Sequence, residues 1–321
     1  MKTLVVAAIA GLALTLIGEA YSQSYPSRPV RIIVPFSAGS QTDMLARLIG
    51  VKLAENSGQQ AIVDNRPSAG GIVAGSIIAS ATPDGHTFIL HSNAFAVSAA
   101  LYSKLPYDPR KDFVAAIQVA SVPYVLVVAP ALGVKSVKDL IALAKQKSGQ
   151  FTFGSAGIGS GTHMAGELFK FTAGLNVIHV PYKGTPEALV DTMAGRIQYW
   201  LSPLGPAYPL VKEGRLLALG VSTAQRAPAL PDVPTIAEAA LTGFEFDAWF
   251  GVLVPGKTPP PVVKRINEAV ARITSIPDLQ ERMRIQGVVL KGTSTEEFTK
   301  LVAEDIAKFT KVAKAADIRI D

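Results

Sequence analysis

Val30-Arg31-Ile32-Ile33-Val34-Pro35-Phe36-Ser37-Ala38-Gly39-Ser40-Gln41-Thr42-Asp43 joins a β-branched run to a loop of small residues and then to a new period. β-branched residues fit a pleated strand. Over 42–55 the spacing becomes helical, with Leu45, Leu48, Ile49 and Leu53 on one face. The unit then recurs: a strand at 60–63, a helix at 71–80, a turn at Pro83-Asp84-Gly85 and a strand at 87–90. Strands alternating with helices predict an α/β lobe, a parallel sheet covered on both faces.

A second series follows, with strands at 124–128, 151–153, 177–180 and 197–201. Helices at 136–147, opened by Ser136 as N-cap, 162–172 and 186–194 separate them. The proline-rich loop 226–234 closes this lobe. Trp249-Phe250-Gly251-Val252-Leu253-Val254-Pro255 then resembles Tyr124-Val125-Leu126-Val127-Val128-Ala129-Pro130. These runs read as the two segments joining the lobes, one outward and one back. The expected division is a leader at 1–22, a first lobe from 23–124 with 251–321, and a second lobe at 125–250. Helices after Pro261 are expected to pack on the first lobe, and a cleft lies between the two.

Met1-Lys2, an apolar run over 4–17 and Gly18-Glu19-Ala20-Tyr21-Ser22-Gln23 have the layout of a secretory signal peptide. The run is shorter than the roughly 20 residues a membrane-spanning helix needs. Ala20 and Ser22 place cleavage near Ser22, and without cysteine no lipid is attached there. Export to the periplasm is the expectation. An oxidising compartment permits disulfides, yet the 321 residues include no cysteine, so the core alone holds the fold. A chain this long with 49% hydrophobic residues can bury a large core. The net charge of +6 is spread over single lysines and arginines, and aromatic residues make up only 7%, a poor pattern for nucleic acid.

Three loops rich in small residues lead from a strand into a helix, at 35–43, 65–71 and 154–163. In open α/β sheets ligands bind at such carboxyl ends. The first N–H groups of a helix have no partner inside it, and the aligned peptide dipoles put partial positive charge there. Glycine lets the backbone come close to a ligand, and Ser155, Ser160 and Thr162 add hydroxyls. The result is an anion cradle with no cationic side chain, although glycines that only make tight turns look the same. The third loop has neither the lysine of a phosphate loop nor the G-x-G-x-x-G spacing, which argues against a nucleotide. No G-x-S-x-G turn is present. His86, His91 and His179 lack metal-ligand spacing, and His163 beside Ser160 fits a local hydrogen bond. No cofactor, metal or catalytic set is expected.

At these loops the chain resembles the periplasmic solute receptors of tripartite tricarboxylate transporters, the Bug or TctC-like family. The resemblance is carried by Tyr25-Pro26-Ser27-Arg28-Pro29, Val34-Pro35-Phe36 with Gly39 and Thr42-Asp43, and Asn65-Arg66-Pro67 with Ala69-Gly70-Gly71. Further carriers are Pro83-Asp84-Gly85, Gly154-Ser155 with Gly159 and Gly161-Thr162-His163, and Val180-Pro181-Tyr182-Lys183-Gly184. Leu230-Pro231-Asp232-Val233-Pro234-Thr235 and Trp249-Phe250-Gly251 complete them. The resemblance implies a two-lobed periplasmic binding protein of type II-like, flytrap architecture that closes on a small carboxylate and delivers it to membrane permease subunits, working as a monomer. Carried over by position, the ligand contacts are Phe36, Ala38, Gly39, Ser40, Thr42, Asp43, Ala69 and Gly70. From the second lobe come Ser155, Gly157, Ser160, Thr162, His163, Tyr182 and Lys183. Ser40 stands where the family usually has a second glycine, and Ser202-Pro203-Leu204-Gly205-Pro206 is richer in proline than the family pattern. A receptor docking on a sensor kinase, and a hydrolase using Ser160 with His163, are the competing readings.

Overall fold

The computed structural model describes residues 25–315 and 317–318, so the leader read at 1–22 and its cleavage point lie outside the described residues. The strands are β1 (Val30–Val34), β2 (Ala61–Asn65), β3 (Thr87–Ser92), β4 (Phe113–Val128), β5 (Thr152–Ser155), β6 (Ile178–Pro181), β7 (Tyr199–Pro203), β8 (Leu217–Val221), β9 (Asp247–Pro255) and β10 (Val289–Leu290). The helices are α1 (Gln41–Ser57), α2 (Ile72–Ala79), α3 (Ala94–Leu101), α4 (Val137–Gln146), α5 (Gly161–Ala173), α6 (Thr185–Met193), α7 (Leu204–Lys212), α8 (Ile236–Ala239), α9 (Pro260–Thr274), α10 (Pro277–Ile285) and α11 (Thr295–Ala315).

In one lobe β2, β1 and β3 run parallel, β9 pairs antiparallel with β3, and β4 pairs antiparallel with β9. In the other, β6, β5 and β7 run parallel, and β7 and β8 both pair antiparallel with the end of β4. The long strand β4 therefore belongs to both sheets: Phe113 to Pro123 face β9, and Tyr124 to Val128 face β7 and β8. Helices flank each sheet.

The runs at 124–130 and 249–255, read as the two segments joining the lobes, pair in different sheets. Trp249 is opposite Ser121 and Phe250 opposite Ala120, while Tyr124 is opposite Pro203. The chain passes outward at Pro123–Tyr124 and returns just before Asp247. The two runs look alike because both are strands buried on two faces, which read as unbroken apolar sequence. Val125 to Val128 and Val252 to Val254 are fully or nearly fully buried.

Matching local signals set the loops that face the cleft. Ser40 caps α1, its Oγ accepting the Asp43 N–H at 3.3 Å, and Gly58 ends that helix in a left-handed conformation. Ser160 caps α5 in the same way, accepting the His163 N–H at 3.1 Å, and Gly174 ends it. Leu45, Ile49 and Leu53 bury the inner face of α1 against its sheet. On the same lobe, α9 packs on β4 and α1, and α11 packs on α3 and β4 through Phe298, Val302, Ile306 and Phe309.

Candidate functional site

The N-terminal turns of α1 and α5, from opposite lobes, meet at one cavity. Its lining is Phe36, Ser40, Gln41, Thr42 and Ser92 with Phe250 from one side, and Ala156, Ser160, Gly161, Thr162, Thr185 and Pro203 from the other, with Tyr124 at the crossing strand. The first backbone bonds inside these helices run from Met44 N to Ser40 O and from Met164 N to Ser160 O. The N–H groups of Gln41, Thr42, Gly161 and Thr162 thus precede the helical ladder and point to the cleft end. Both dipoles place partial positive charge there. No lysine, arginine, histidine or carboxylate lines the cavity. Its volume is about 20 Å³, room for one water and less than any organic acid needs.

The lobes touch around this space. Ser37 N donates to Lys183 O at 3.4 Å, and Ser37 Oγ donates to Glu187 Oε2 at 3.0 Å. Ser98 Oγ donates to Gly70 O at 3.0 Å and to Gly159 O at 3.4 Å, tying the two glycine loops together. Gly159 has φ 75°, and a Cβ on it would come within 3.2 Å of Gly70 Cα. Only glycine serves there, for conformation and for space alike. The arrangement is a closed cleft.

Of the residues expected at the site, Phe36, Ser40, Thr42, Ser160 and Thr162 line the cavity. The others hold the loops in shape or sit at the rim. Asp43 turns away from the cleft and accepts bonds from Gly39 N at 2.9 Å, Arg47 Nε at 2.9 Å and Asn65 Nδ2 at 3.0 Å. Burial pushes its pKa up, and these hydrogen bonds outweigh that and leave it below the ordinary carboxylate range. Ser155 Oγ pairs with His179 Nε2 at 2.6 Å and accepts the Gly157 N–H at 3.0 Å. Tyr182 donates its hydroxyl to Asp191 at 2.6 Å. Gly70 is buried against Ser98, whereas Ala38, Gly39, Ala69 and Lys183 are exposed.

His163 stacks on His179 with ring centroids 4.2 Å apart, and its Nδ1 accepts the Gly159 N–H at 3.3 Å. Burial, assisted by the charge of Lys170, lowers its pKa to about 4. Burial lowers His179 to about 3, with the charges of His163 and Lys170 adding to the effect. The Ser160 hydroxyl lies 2.9 Å from Thr162 Oγ1 and caps its helix. It does not face a base.

The cavity also recruits residues that were not expected. Gln41, within the first quoted loop, is 1% exposed, and neither of its amide atoms has a hydrogen-bond partner. Asn93 is fully buried with both amide atoms unpartnered, behind Gly161. Ser92, Thr185 and Pro203 stand at or just past the carboxyl ends of β3, β6 and β7, so the strand-end rule applied to every strand would have found them. Tyr124 and Phe250 looked like core, and burial raises the Tyr124 pKa, with the nearby Asp247 charge adding to it.

The family model for the tripartite tricarboxylate transporter family receptor matches residues 45–318. A protein encoded in the tcbD–tcbE intergenic region of Pseudomonas sp. strain P51 is 35% identical over 95% of this chain and 92% of its own length. Rpa4515 of R. palustris, solved with adipate, superposes with a TM-score of 0.89 at 38% identity, covering 92% of this chain and 99% of that one. MatC of Rhodopseudomonas palustris, solved with bound malate, gives 0.86 at 31% identity over 90% and 99%. With the two-lobed fold and the paired helix N-termini at the cleft, these matches show that the chain belongs to the receptor family of tripartite tricarboxylate transporters.

Proposed function

We propose that the protein captures a small carboxylate in the periplasm by closing its lobes and hands it to the permease subunits of a tripartite tricarboxylate transporter. One observation carries this reading: the N-terminal turns of α1 and α5 converge on a cavity lined by hydroxyls and amides and by no charged side chain. A carboxylate between them receives N–H groups and favourable dipoles from both lobes at once. Contacts made only when the lobes are together supply the differential affinity that closure needs. The adipate and malate in the two R. palustris structures support a carboxylate as the ligand.

The contact set we assign is Phe36, Ser40, Gln41, Thr42, Ser92, Tyr124, Ser160, Gly161, Thr162 and Thr185. Asp43, Ser155, His163 and Tyr182 shape the loops around it. The β4–β9 pairing supports lobe bounds of 25–123 with 247–315, and 124–246, as the moving bodies. Capture proceeds without chemistry: His163 is engaged with Gly159 and held uncharged, and Ser160 is spent as a cap. No helix among the described residues is long and apolar enough to cross a membrane.

Titration calorimetry of the purified chain against mono-, di- and tricarboxylates tests the reading. At least one is expected to bind tighter than about millimolar, roughly 4 kcal/mol. A panel with no binder at that level overturns it.

A further inference from the structure

Beneath the middle of α11 the first lobe holds a space of about 260 Å³ that shares no lining residue with the cavity between α1 and α5. Its floor is Phe95 of α3, Phe113 of β4, Leu253 of β9, and Val302 and Ile306 of α11, all of them buried. Protein interiors keep few voids larger than a water molecule. Walls of this kind also give water almost nothing to bond.

Two polar side chains stand at the mouth, Arg110 and Thr299, both on exposed residues. The backbone N–H of Arg110 donates to Asp108 Oδ1 at 2.9 Å, but its guanidinium has no ion pair or hydrogen bond among the described residues. Lys111, next in the chain, is paired with Asp108 at 3.4 Å. The Thr299 hydroxyl likewise has no partner among the described residues. No acidic side chain lines the space. An apolar floor is thus joined to a cation and a hydroxyl that are both free to bond.

We infer that this space is a second ligand site, one that takes a monocarboxylate with a medium-length alkyl chain. The chain lies against the phenylalanine and aliphatic floor, where leaving water is the driving force. The carboxylate sits at the mouth, where a guanidinium can bond both of its oxygens and Thr299 adds a donor. An α-helix, about 10 Å across, is too thick for a space of this size, which favours a thin chain over a partner protein's helix. Arg110 repels an ammonium in the same place. The cradle between the lobes works by helix N-termini with no cation, so the two sites recognise their ligands differently.

Calorimetry of the purified chain with octanoate and with octylammonium tests this. Octanoate is expected to bind at one site tighter than about millimolar, and octylammonium at least about tenfold more weakly. Arg110→Gln is expected to weaken octanoate at least about fivefold, within the reach of a lost charged hydrogen bond. Ala303→Trp on the exposed rim and Val302→Phe from the floor each fill the space, and the filled proteins are expected to lose octanoate affinity by at least about tenfold. Saturating the cleft with the tightest acid of the wider panel is expected to leave octanoate binding in place. No octanoate binding, binding that survives both filled variants, displacement by the cleft acid, or octylammonium bound as tightly as octanoate overturns the inference. None of these outcomes bears on carboxylate capture in the cleft, which the wider panel decides.

Discussion

Gly161 shows how a single side chain, or its absence, can separate folding from closure. It is the first residue of α5, with its backbone amide in the cleft lining. A Cβ there would overlap Asn93 Oδ1 and come within 2.6 Å of the Tyr124 hydroxyl. Asn93 lies at the start of α3 on the other lobe, so the overlap with it exists only when the lobes are together. Gly161→Ala keeps the N–H and improves helix propensity by up to about 1 kcal/mol. The Tyr124 hydroxyl lies on the same lobe and must give way whether or not the lobes are together, which offsets that gain, so the melting temperature is expected to change little while carboxylate affinity falls at least about tenfold, roughly 1.4 kcal/mol. Unchanged affinity in calorimetry would show that closure does not bring Gly161 against Asn93. At this scale the sequence pointed to two of the loops that meet at the cavity and to five of the residues lining it, but not to the rest of the lining. Ser40 and Ser160, expected as ligand contacts, also make capping bonds that are local, three residues from donor to acceptor. The turning of Asp43 toward Asn65, or of Ser155 toward His179, depends on partners 22 and 24 residues away. Composition carries no sign of them.

Among the elements, the strand–helix alternation was readable where a helix has one wet face and no proline interrupts it, as α1 has with Arg47 outward and Ile49 inward, whereas α7, with Pro206 and Pro209 inside it, was not. Helix α3 escaped because Ala94-Phe95-Ala96-Val97-Ser98 is buried all round, between α11, the glycine loop and α5, so no amphipathic period exists to find. The first half of β4 was missed for a related reason: Ala115 to Ala120 are buried on both faces and bulges interrupt the pairing with β9. Beneath the cleft, α5 and β6 meet through rings. His163 stacks on His179, which stacks on Phe153 at 4.8 Å, which stacks on Tyr199 at 5.7 Å. Both histidines are uncharged in this stack, with pKa values of about 4 and about 3 against an ordinary 6.5. From about pH 6.5 down to those values the unfolded chain binds more protons than the folded one, so stability falls as pH falls through that window and is independent of these groups above it. The melting temperature is expected to drop between pH 7 and pH 4.5. His179→Phe keeps a ring in the stack that cannot ionise and should show a shallower drop from its own pH 7 value. Parallel curves for the two proteins would mean that the neutral stack does not set the acid sensitivity.

For the molecule as a whole, the closed form presents a kinetic problem. A cavity of about 20 Å³ cannot admit a carboxylate, so binding requires the lobes to part. What holds them at the rim is weak: Ser37 bonds to Lys183 O and to the exposed Glu187, contacts that compete with water. The ligand must then tip the balance between two states that lie close in energy. Ser37 and Gly184 offer a way to remove that freedom. A Cβ on Gly184 would lie 3.2 Å from Ser37 Cβ, near the roughly 3.5–4.5 Å that a disulfide spans. Gly184 has extended backbone, φ −179°, which cysteine adopts readily. Because the chain contains no cysteine, Ser37→Cys with Gly184→Cys introduces the only thiols and no competing pairing. Oxidised, the double variant is locked shut and is expected to take up ligand at least about a hundredfold more slowly than when reduced, with thiol reagent restoring the rate; slow opening of a gated site limits association. Stopped-flow or surface-based kinetics read this directly. If the oxidised protein binds as fast as the reduced one, the cleft fills by a route that needs no separation of the lobes, and flytrap closure is not what governs entry.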